Sequence, residues 1–173
     1  MGVRLFVTGF GAFLNHGENP SAVLAERSGR PHAVLEVSYT GVDDFLEELD
    51  GGEFDAWLQI GLAAKAETML MENVGRNKIG PIPDARDEEH GPGPIDAAGP
   101  SAVGATLWQG VAVESEEVKA SVDAGGYLCN YLLYRGLRQF PEKRIGFLHV
   151  PPFSVMPLER QVEALSRIIE EIG

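Results

Sequence analysis

The sequence contains a single cysteine, Cys129, among 173 residues. A disulfide within the chain is therefore excluded, and so are a Cys-rich zinc site and a Cys-x-x-Cys redox motif. The four histidines are scattered and lack metal-ligand spacing, so we expect no metal. No cofactor-binding motif occurs, and we expect no cofactor. A lone thiol favours a reducing compartment, which predicts a cytoplasmic protein.

Positive charge and long apolar runs are also scarce. Fourteen Lys and Arg residues stand against 26 Asp and Glu residues, which gives a net charge of -12. General binding to nucleic acid or to an anionic membrane needs a basic face, so we expect neither partner. No apolar stretch approaches the length of a membrane span, and the apolar run at the start is too short for a signal peptide.

Strand-like and helix-like segments alternate along the chain. Its length and its hydrophobic fraction of 44% suit one globular domain covering residues 1–173. Short apolar runs predict strands at Val3–Thr8, Ala33–Tyr39, Ala56–Leu62, Thr68–Val74, Val118–Val122 and Ile145–Val150. Periodicity and caps predict helices from Asn19 as N-cap to about Arg27, at Val42–Leu49, from Tyr127 to about Gln139, and at Pro157–Ile172.

This alternation predicts an α/β fold, a three-layer αβα sandwich around a mostly parallel, mixed sheet. Ligands of such sheets bind beyond the carboxyl ends of the strands. Four notable segments follow predicted strands: Thr8–Gly11, Gly61–Ala63, Gly125–Gly126 and His149–Pro151. Between Asn77 and Pro100 the chain is rich in Gly, Pro and acidic residues, which predicts a long ordered loop. Loops of that length inside a compact domain are usually functional or disordered.

Cys129 is the first candidate for chemistry. A free cysteine commonly packs as a small buried hydrophobe, and that reading stays open for a lone thiol. Its setting argues for reactivity, because two glycines and the first turn of a predicted helix surround it. Free N–H groups at a helix start lower the pKa of a thiol and can hold a developing oxyanion.

His149 and Glu72 could complete a catalytic set with this thiol. His149 ends a buried strand before two prolines, where it is either a hydrogen-bonded structural residue or the general base for Cys129. A third group must orient the imidazole. Glu72 lies on an apolar strand, whereas the competing acids of Asp84–Glu89 belong to a run typical of a solvated loop.

Four motifs in these segments resemble pyroglutamyl peptidase type I, also called pyrrolidone carboxyl peptidase, and together they span nearly the whole chain. Thr8-Gly9-Phe10-x-x-Phe13 with Asn19-Pro20-Ser21 resembles the opening motif of that family. Gly61-Leu62-Ala63 with Glu72 is similar to the stretch that carries the family's glutamate. Ala124 to Asn130 resembles its cysteine signature, and Gly146 to Pro151 its histidine signature.

The resemblance implies a phosphorylase/hydrolase-like fold and a cysteine peptidase that releases N-terminal pyroglutamate from peptides. It implies that Cys129 is the nucleophile, His149 the general base and acid, and Glu72 the orienting carboxylate. It also implies a homo-oligomer, a tetramer in many relatives. The substrate-binding residues it implies are Phe10, Phe13, Asn19, Leu62, Ile82, Tyr127 and Leu128.

The chain departs from the family pattern at several positions. Leu62 replaces a glutamine, Ala12 and Leu14 replace the proline and glycine of the family's Pro-Phe-Gly, and Gly126 replaces a threonine. Gly80-Pro81 replaces the family's Ala-Arg, so an oxyanion-assisting arginine is missing unless Arg76 or Arg86 substitutes for it. One alternative is therefore an impaired relative that binds pyroglutamyl peptides without efficient turnover. A phosphate-dependent enzyme on a similar fold is disfavoured, because no basic Gly-rich phosphate loop occurs.

Overall fold

The computed structural model of the protein describes residues 2–13 and 17–173. Leu14, which replaces the glycine of the family's Pro-Phe-Gly, lies outside this range, as does His16. The strands are β1 (Leu5–Phe10), β2 (His32–Leu35), β3 (Ala56–Leu62), β4 (Met69–Glu72), β5 (Val74–Arg76), β6 (Ala102–Gly104), β7 (Val118–Ser121) and β8 (Arg144–Val150). The α-helices are α1 (Pro20–Arg27), α2 (Tyr39–Glu48), α3 (Leu128–Gln139) and α4 (Leu158–Ile172).

Six strands form the main sheet in the order β2-β1-β3-β8-β4-β7. The first four are mutually parallel, so β1, β3 and β8 bring their carboxyl ends to one edge. β4 runs antiparallel to β8, and β7 runs parallel to β4. The mostly parallel, mixed sheet predicted from the sequence is therefore confirmed. Gly125 and Gly126 follow β7, as predicted, but β7 points away from the edge at which β1, β3 and β8 end.

Helices cover both faces of the sheet, because successive side chains of each central strand point to opposite sides. On one face, Leu58 and Ile60 of β3 pack with α1 and α4 through residues such as Leu24 and Leu165. On the other face, Trp57 and Phe147 belong to a cluster that includes Leu132 of α3 and residues of α2. The result is the three-layer αβα arrangement.

Caps and edge pairing decide where the predicted elements begin and end. The predicted strand Ala33–Tyr39 is wrong in its second half, since β2 ends at Leu35 and Tyr39 begins α2. Ser38 takes the N-cap position, where its hydroxyl accepts a hydrogen bond from the N–H of Gly41 at 2.9 Å. β1 extends to Phe10 because its pairing with β2 continues to Leu35.

The predicted N-cap of α1 is confirmed, with the Oδ1 of Asn19 accepting from the N–H of Ser21 at 3.0 Å. The predicted extended segment Thr68–Val74 is divided between β4 and β5 at Asn73. Among the residues that the structure describes, no helix is long and apolar enough to cross a membrane.

Candidate active site

A buried carboxylate and an imidazole form the centre of the site. Nδ1 of His149 lies 2.8 Å from Oε1 of Glu72, and neither side chain is more than 10% exposed. The pairing follows from the sheet, because Leu70 faces His149 and Glu72 faces Phe147 across the antiparallel β4–β8 ladder. Both side chains therefore leave the same face of the sheet on adjacent strands.

The hydrogen bond to Glu72 fixes which imidazole nitrogen carries the proton. An ionised carboxylate only accepts hydrogen bonds, so we assign the donor to Nδ1 of His149, which leaves Nε2 for Cys129. Burial alone lowers the pKa of His149. The negative charge of a Cys129 thiolate, hydrogen bonding with that sulfur and the bond to Glu72 outweigh burial and raise the pKa to about 10.

Cys129 lies in the first turn of α3, directly above Gly61 of β3. A Cβ placed on Gly61 would come within 2.7 Å of the Sγ of Cys129 and 2.5 Å of Cζ of Phe147. Gly61 is paired with His149 in the parallel ladder, so the bare glycine leaves room for the sulfur beside the imidazole. The thiol is partly exposed, and free N–H groups at the start of α3 surround it, since Tyr127 provides no side-chain cap.

An apolar cavity of about 260 Å³ opens beside Cys129 at the carboxyl edge of the parallel strands. Most of the substrate-binding residues predicted from the sequence line it. Among the described residues, the lining consists of Phe10, Phe13, Asn19, Val37, Leu62, Ala64, Tyr127, Leu128 and Cys129.

Ile82 is not among these lining residues; its side chain is 56% exposed in the loop between β5 and β6. Sequence reasoning missed Val37 and Ala64. Ala64 directly follows the Gly61–Ala63 segment, which was a usable signal. Val37 carries no such signal, because it falls within the predicted strand Ala33–Tyr39. A larger cavity of about 410 Å³ lies at the other end of β1, lined by residues such as Arg4 and Phe54, but contains neither thiol nor histidine.

The loop between β5 and β6 is fixed against the start of α3. The N–H of Gly80 donates to the carbonyl of Gly126 at 2.6 Å, and the hydroxyl of Tyr127 donates to the carbonyl of Pro83 at 3.1 Å. A Cβ on Gly80 would lie 3.1 Å from that Gly126 oxygen. Two departures from the family pattern, Gly80 and Gly126, therefore meet at one close backbone contact.

Asp84 holds the same loop to α2. The interpretation of Asp84–Glu89 as a solvated run is wrong for Asp84, which is only 3% exposed. Its carboxylate accepts hydrogen bonds from the N–H groups of Tyr39, Arg86 and Glu88 at 2.8, 2.8 and 3.1 Å. Burial by itself raises the pKa of Asp84, but these three backbone donors outweigh burial and lower it.

Neither arginine considered as a substitute reaches the cavity. The guanidinium of Arg86 donates to both carboxylate oxygens of Glu36, at 2.8 and 2.6 Å, and that of Arg76 donates to the carbonyl of Val122 at 3.0 Å. Within the described ranges, no arginine or lysine lines the cavity beside Cys129. The N–H groups in the first turn of α3 are the donors that we identify for an oxyanion at Cys129.

One set of side chains in the described part of the chain has ligand atoms close enough to share a metal ion. The set consists of Asp84, Glu88 and His90, whose ligand atoms lie within 4.8 Å of one another. Both oxygens of Asp84 already accept backbone hydrogen bonds, and the ring of His90 packs on that of Tyr39 with centroids 4.6 Å apart. These contacts give the cluster a structural role.

Comparison with known proteins identifies the enzymes that this chain resembles. The sequence matches the Pyroglutamyl peptidase family over residues 3–170. It is 30% identical over 205 residues to the pyrrolidone-carboxylate peptidase of Halalkalibacterium halodurans, covering 99% of this chain and 100% of that protein. The corresponding enzyme of Staphylococcus aureus is 32% identical over 203 residues, covering 99% and 94%. The crystal structure of pyrrolidone carboxyl peptidase from Thermus thermophilus has a TM-score of 0.81 and 31% identity, covering 96% and 99%.

The αβα fold, with a thiol, an imidazole and a buried carboxylate at one edge of its sheet, defines a cysteine hydrolase. The chain belongs to the pyroglutamyl peptidase family.

Proposed function

We propose that the protein hydrolyses the amide bond after an N-terminal pyroglutamyl residue, with Cys129 as nucleophile, His149 as general base and acid, and Glu72 as orienting carboxylate. The observation that carries the proposal is the 2.8 Å bond between Glu72 and His149 beside an apolar cavity that ends at Cys129. A nucleophile, a base and a group that orients the base are the three parts that covalent catalysis requires.

At the start of the first half of the reaction, Nε2 of His149 already holds the proton of the Cys129 thiol, and Sγ is a thiolate. The Sγ atom then attacks the carbonyl carbon of the pyroglutamyl residue, and the tetrahedral intermediate places its oxyanion at the N–H groups of the α3 first turn. Collapse of this intermediate breaks the C–N bond. His149 gives its proton to the leaving amine, and a thioester of pyroglutamate on Cys129 remains.

In the second half, a water molecule replaces the amine. His149 removes a proton from the water, the resulting hydroxide adds to the thioester carbonyl, and the C–S bond breaks. Free pyroglutamate leaves, and the proton returns to the pair formed by Cys129 and His149. Throughout both halves Glu72 accepts a hydrogen bond from Nδ1 of His149 and stabilises the imidazolium.

The cavity suits a pyroglutamyl ring because of what that ring lacks. A lactam has no free α-amine, so its recognition needs no buried acid, and the described lining residues include no acid. Phe10, Phe13 and Tyr127 offer aromatic surface for the flat ring. Ile82 remains a predicted substrate contact.

Hydrolysis of pyroglutamyl-aminomethylcoumarin tests the function. Wild type should release the fluorophore, while Cys129→Ser should lose that activity, and prolyl-aminomethylcoumarin, which has a ring amine and no lactam carbonyl, should not be cleaved. Enzyme concentration is set by active-site titration. Absence of release from titrated wild type would refute hydrolysis. Tight binding of pyroglutamyl peptides by calorimetry in that case would identify the impaired alternative.

The setting of the enzyme is a further part of the proposal. A catalytic thiol without a disulfide partner has to stay reduced, which supports a cytoplasmic location. A homo-oligomer, a tetramer as in many relatives, and a single domain over residues 1–173 remain predictions. Gel filtration with light scattering tests the first, and coincidence of unfolding transitions by different probes tests the second.

A further inference from the structure

Asn130, the residue after Cys129, makes three hydrogen bonds to the backbone of one neighbouring segment. It is completely buried. Its Oδ1 accepts from the N–H of Arg76 at 2.9 Å, and its Nδ2 donates to the carbonyls of Arg76 and Lys78 at 2.8 and 3.1 Å. The side-chain amide thus pairs with β5 in the way that a strand backbone would, and three of its hydrogen-bonding sites are satisfied.

β5 is the direct continuation of the strand that carries the buried carboxylate. Only Asn73 separates Glu72, the last residue of β4, from Val74, the first residue of β5. Asn130 therefore connects the turn of α3 that holds the thiol to a backbone segment four residues from the carboxylate. The chain between Glu72 and Arg76 is short and extended, so a displacement of Arg76 also displaces Glu72.

A second close contact lies between β5 and α3. A Cβ placed on Gly75 of β5 would lie 3.1 Å from both the Cα and the backbone nitrogen of Tyr134 in α3. Gly75 lets the backbones of β5 and α3 come close together. The hydrogen bonds of Asn130 then hold the two elements at this distance. Since Tyr127 gives α3 no side-chain cap, Asn130 is the polar side chain that fixes the first turn of this helix.

We propose that Asn130 is a positioning residue, which sets the distance from the Sγ of Cys129 to His149 by tying α3 to the strand segment that follows Glu72. This inference rests on the proposed role of Cys129 as the nucleophile. Asn130 does not touch the substrate or the reacting atoms. Asn130 acts through the position of Cys129, so its loss should slow the chemical step and leave substrate affinity unchanged.

The test is Asn130→Asp, which keeps the size of the side chain but replaces two N–H donors with a carboxylate facing the carbonyls of Arg76 and Lys78. We expect kcat to fall about 10- to 100-fold with KM within about threefold, because small misplacements of a nucleophile cost rate before they cost binding. The rate of iodoacetamide alkylation of Cys129 at mildly acidic pH should also fall, since the thiolate depends on the nearby imidazolium.

Tyr134→Phe is the matched control. It removes one hydrogen bond of the same helix, from the Tyr134 hydroxyl to the carbonyl of Pro100 at 2.9 Å, without touching the Asn130 contact. We expect unchanged kcat and unchanged alkylation at equal folded fraction, measured by circular dichroism. If Asn130→Asp retains kcat within twofold, or loses it only in proportion to its unfolded fraction, the positioning role is wrong.

Gly75→Ala decides the question if Asn130→Asp does not fold. Its methyl group pushes β5 from α3 by a few tenths of an ångström while Asn130 stays intact. A fall in kcat and in acidic-pH alkylation, with KM retained, supports the positioning role, and unchanged values overturn it. Wild type is assayed in parallel. An inactive wild type would refute the proposed function, whereas an active wild type with fully active variants would refute only the role of Asn130.

Discussion

The Sγ of Cys129 lies over the bare Cα of Gly61, at a point where even one methyl group would meet it at 2.7 Å. The same methyl group would meet the buried ring of Phe147 at 2.5 Å, and that ring packs against the imidazole of His149 with centroids 4.9 Å apart. The absence of a side chain at Gly61 in β3 therefore leaves the space in which the thiol of Cys129 lies beside the imidazole of His149.

Gly61→Ala should consequently damage both activity and stability. We expect a loss of about 100-fold in kcat from displacement of the thiol, and a loss of about 1–3 kcal/mol in the free energy of unfolding from overpacking. Hydrolysis of pyroglutamyl-aminomethylcoumarin and urea denaturation measure the two effects. Gly104→Ala, where an added Cβ has no neighbour within 4 Å, is the control and should be neutral. An equally active Gly61→Ala would contradict the placement of Cys129.

Glu72→Gln should keep the shape of the site and lose most of the catalysis. The amide can donate as well as accept, so it no longer holds the His149 proton on Nδ1, and we expect kcat to fall by about 100- to 10,000-fold. Glu142→Gln, at an exposed acid without a described partner, should behave as wild type. Retention of more than a tenth of the activity in Glu72→Gln would show that another group orients the imidazole.

The raised pKa of His149 predicts a shift in the pH profile. In wild type the imidazolium persists to about pH 10, so the alkaline limb of kcat/KM should lie well above the ordinary histidine value of 6.5. The corresponding stabilisation of the fold is complete below pH 6.5 and is lost as pH rises toward 10. Residual activity of Glu72→Gln should show this limb at lower pH, because one of the contacts that raise the pKa is gone. If the alkaline limb of Glu72→Gln lies at the same pH as in wild type, it reports the titration of a group other than His149.

Asp84→Asn should loosen the loop between β5 and β6. Losing a charged acceptor for three backbone donors should lower the free energy of unfolding by about 1–3 kcal/mol, and KM should rise because this loop contacts Tyr127 and Val37 of the cavity. The pKa of Asp84 is lower in the folded protein than the ordinary aspartate value of 3.8. The ionised carboxylate therefore stabilises the fold fully above pH 3.8, and this stabilisation is lost as the pH falls through the pKa of the folded protein. The stability difference between variant and wild type should therefore narrow in strong acid.

Asp87→Asn is the control for this change, because Asp87 is exposed and its positive φ of 58° suits asparagine equally well. Thermal unfolding and steady-state kinetics of the two variants measure the contrast. Equal behaviour of Asp84→Asn and Asp87→Asn would mean that the backbone bonds of Asp84 carry no net stability.

Arg86→Ala should leave kcat within about twofold of wild type. The guanidinium is engaged with Glu36 at the surface and lies outside the cavity lining. Removing a donor that contacts the oxyanion typically costs 100-fold or more in kcat. A loss of that size in steady-state assays of Arg86→Ala would show that the side chain changes partners when substrate binds.

Much of this design is visible in the sequence because its signals are local. Apolar runs ending in glycine identified β3 and β8, and Asn19-Pro20 identified the start of α1. The four family motifs each lie within one short segment, so they pointed to Cys129, His149 and Glu72 before any contact was known. Their assembly into one site depends in addition on the antiparallel pairing of β4 with β8, which places Glu72 beside His149.

What the sequence did not reveal depends on contacts between distant segments. Asp84 was interpreted as part of a solvated run because its partner Tyr39 lies 45 residues away. Val34 of β2 is 43% exposed on an edge strand, so no burial pattern marked the end of that strand at Leu35. The reversal of β4 and β7 is equally hidden, because strand direction is a property of pairing and not of composition.

The loop from Asn77 to Pro100 has the Gly- and Pro-rich composition of a flexible linker but is held at several points along its length. Bonds at Gly80, Pro83 and Asp84, together with the Ile79–Gly93 bridge, attach it to α2, to α3 and to itself. Proteases cut chain that is exposed and free to leave the fold, so cleavage here requires local unfolding first. Resistance to trypsin at Arg86 would thus report on the integrity of the substrate cavity, and bound pyroglutamyl ligand should slow the cut.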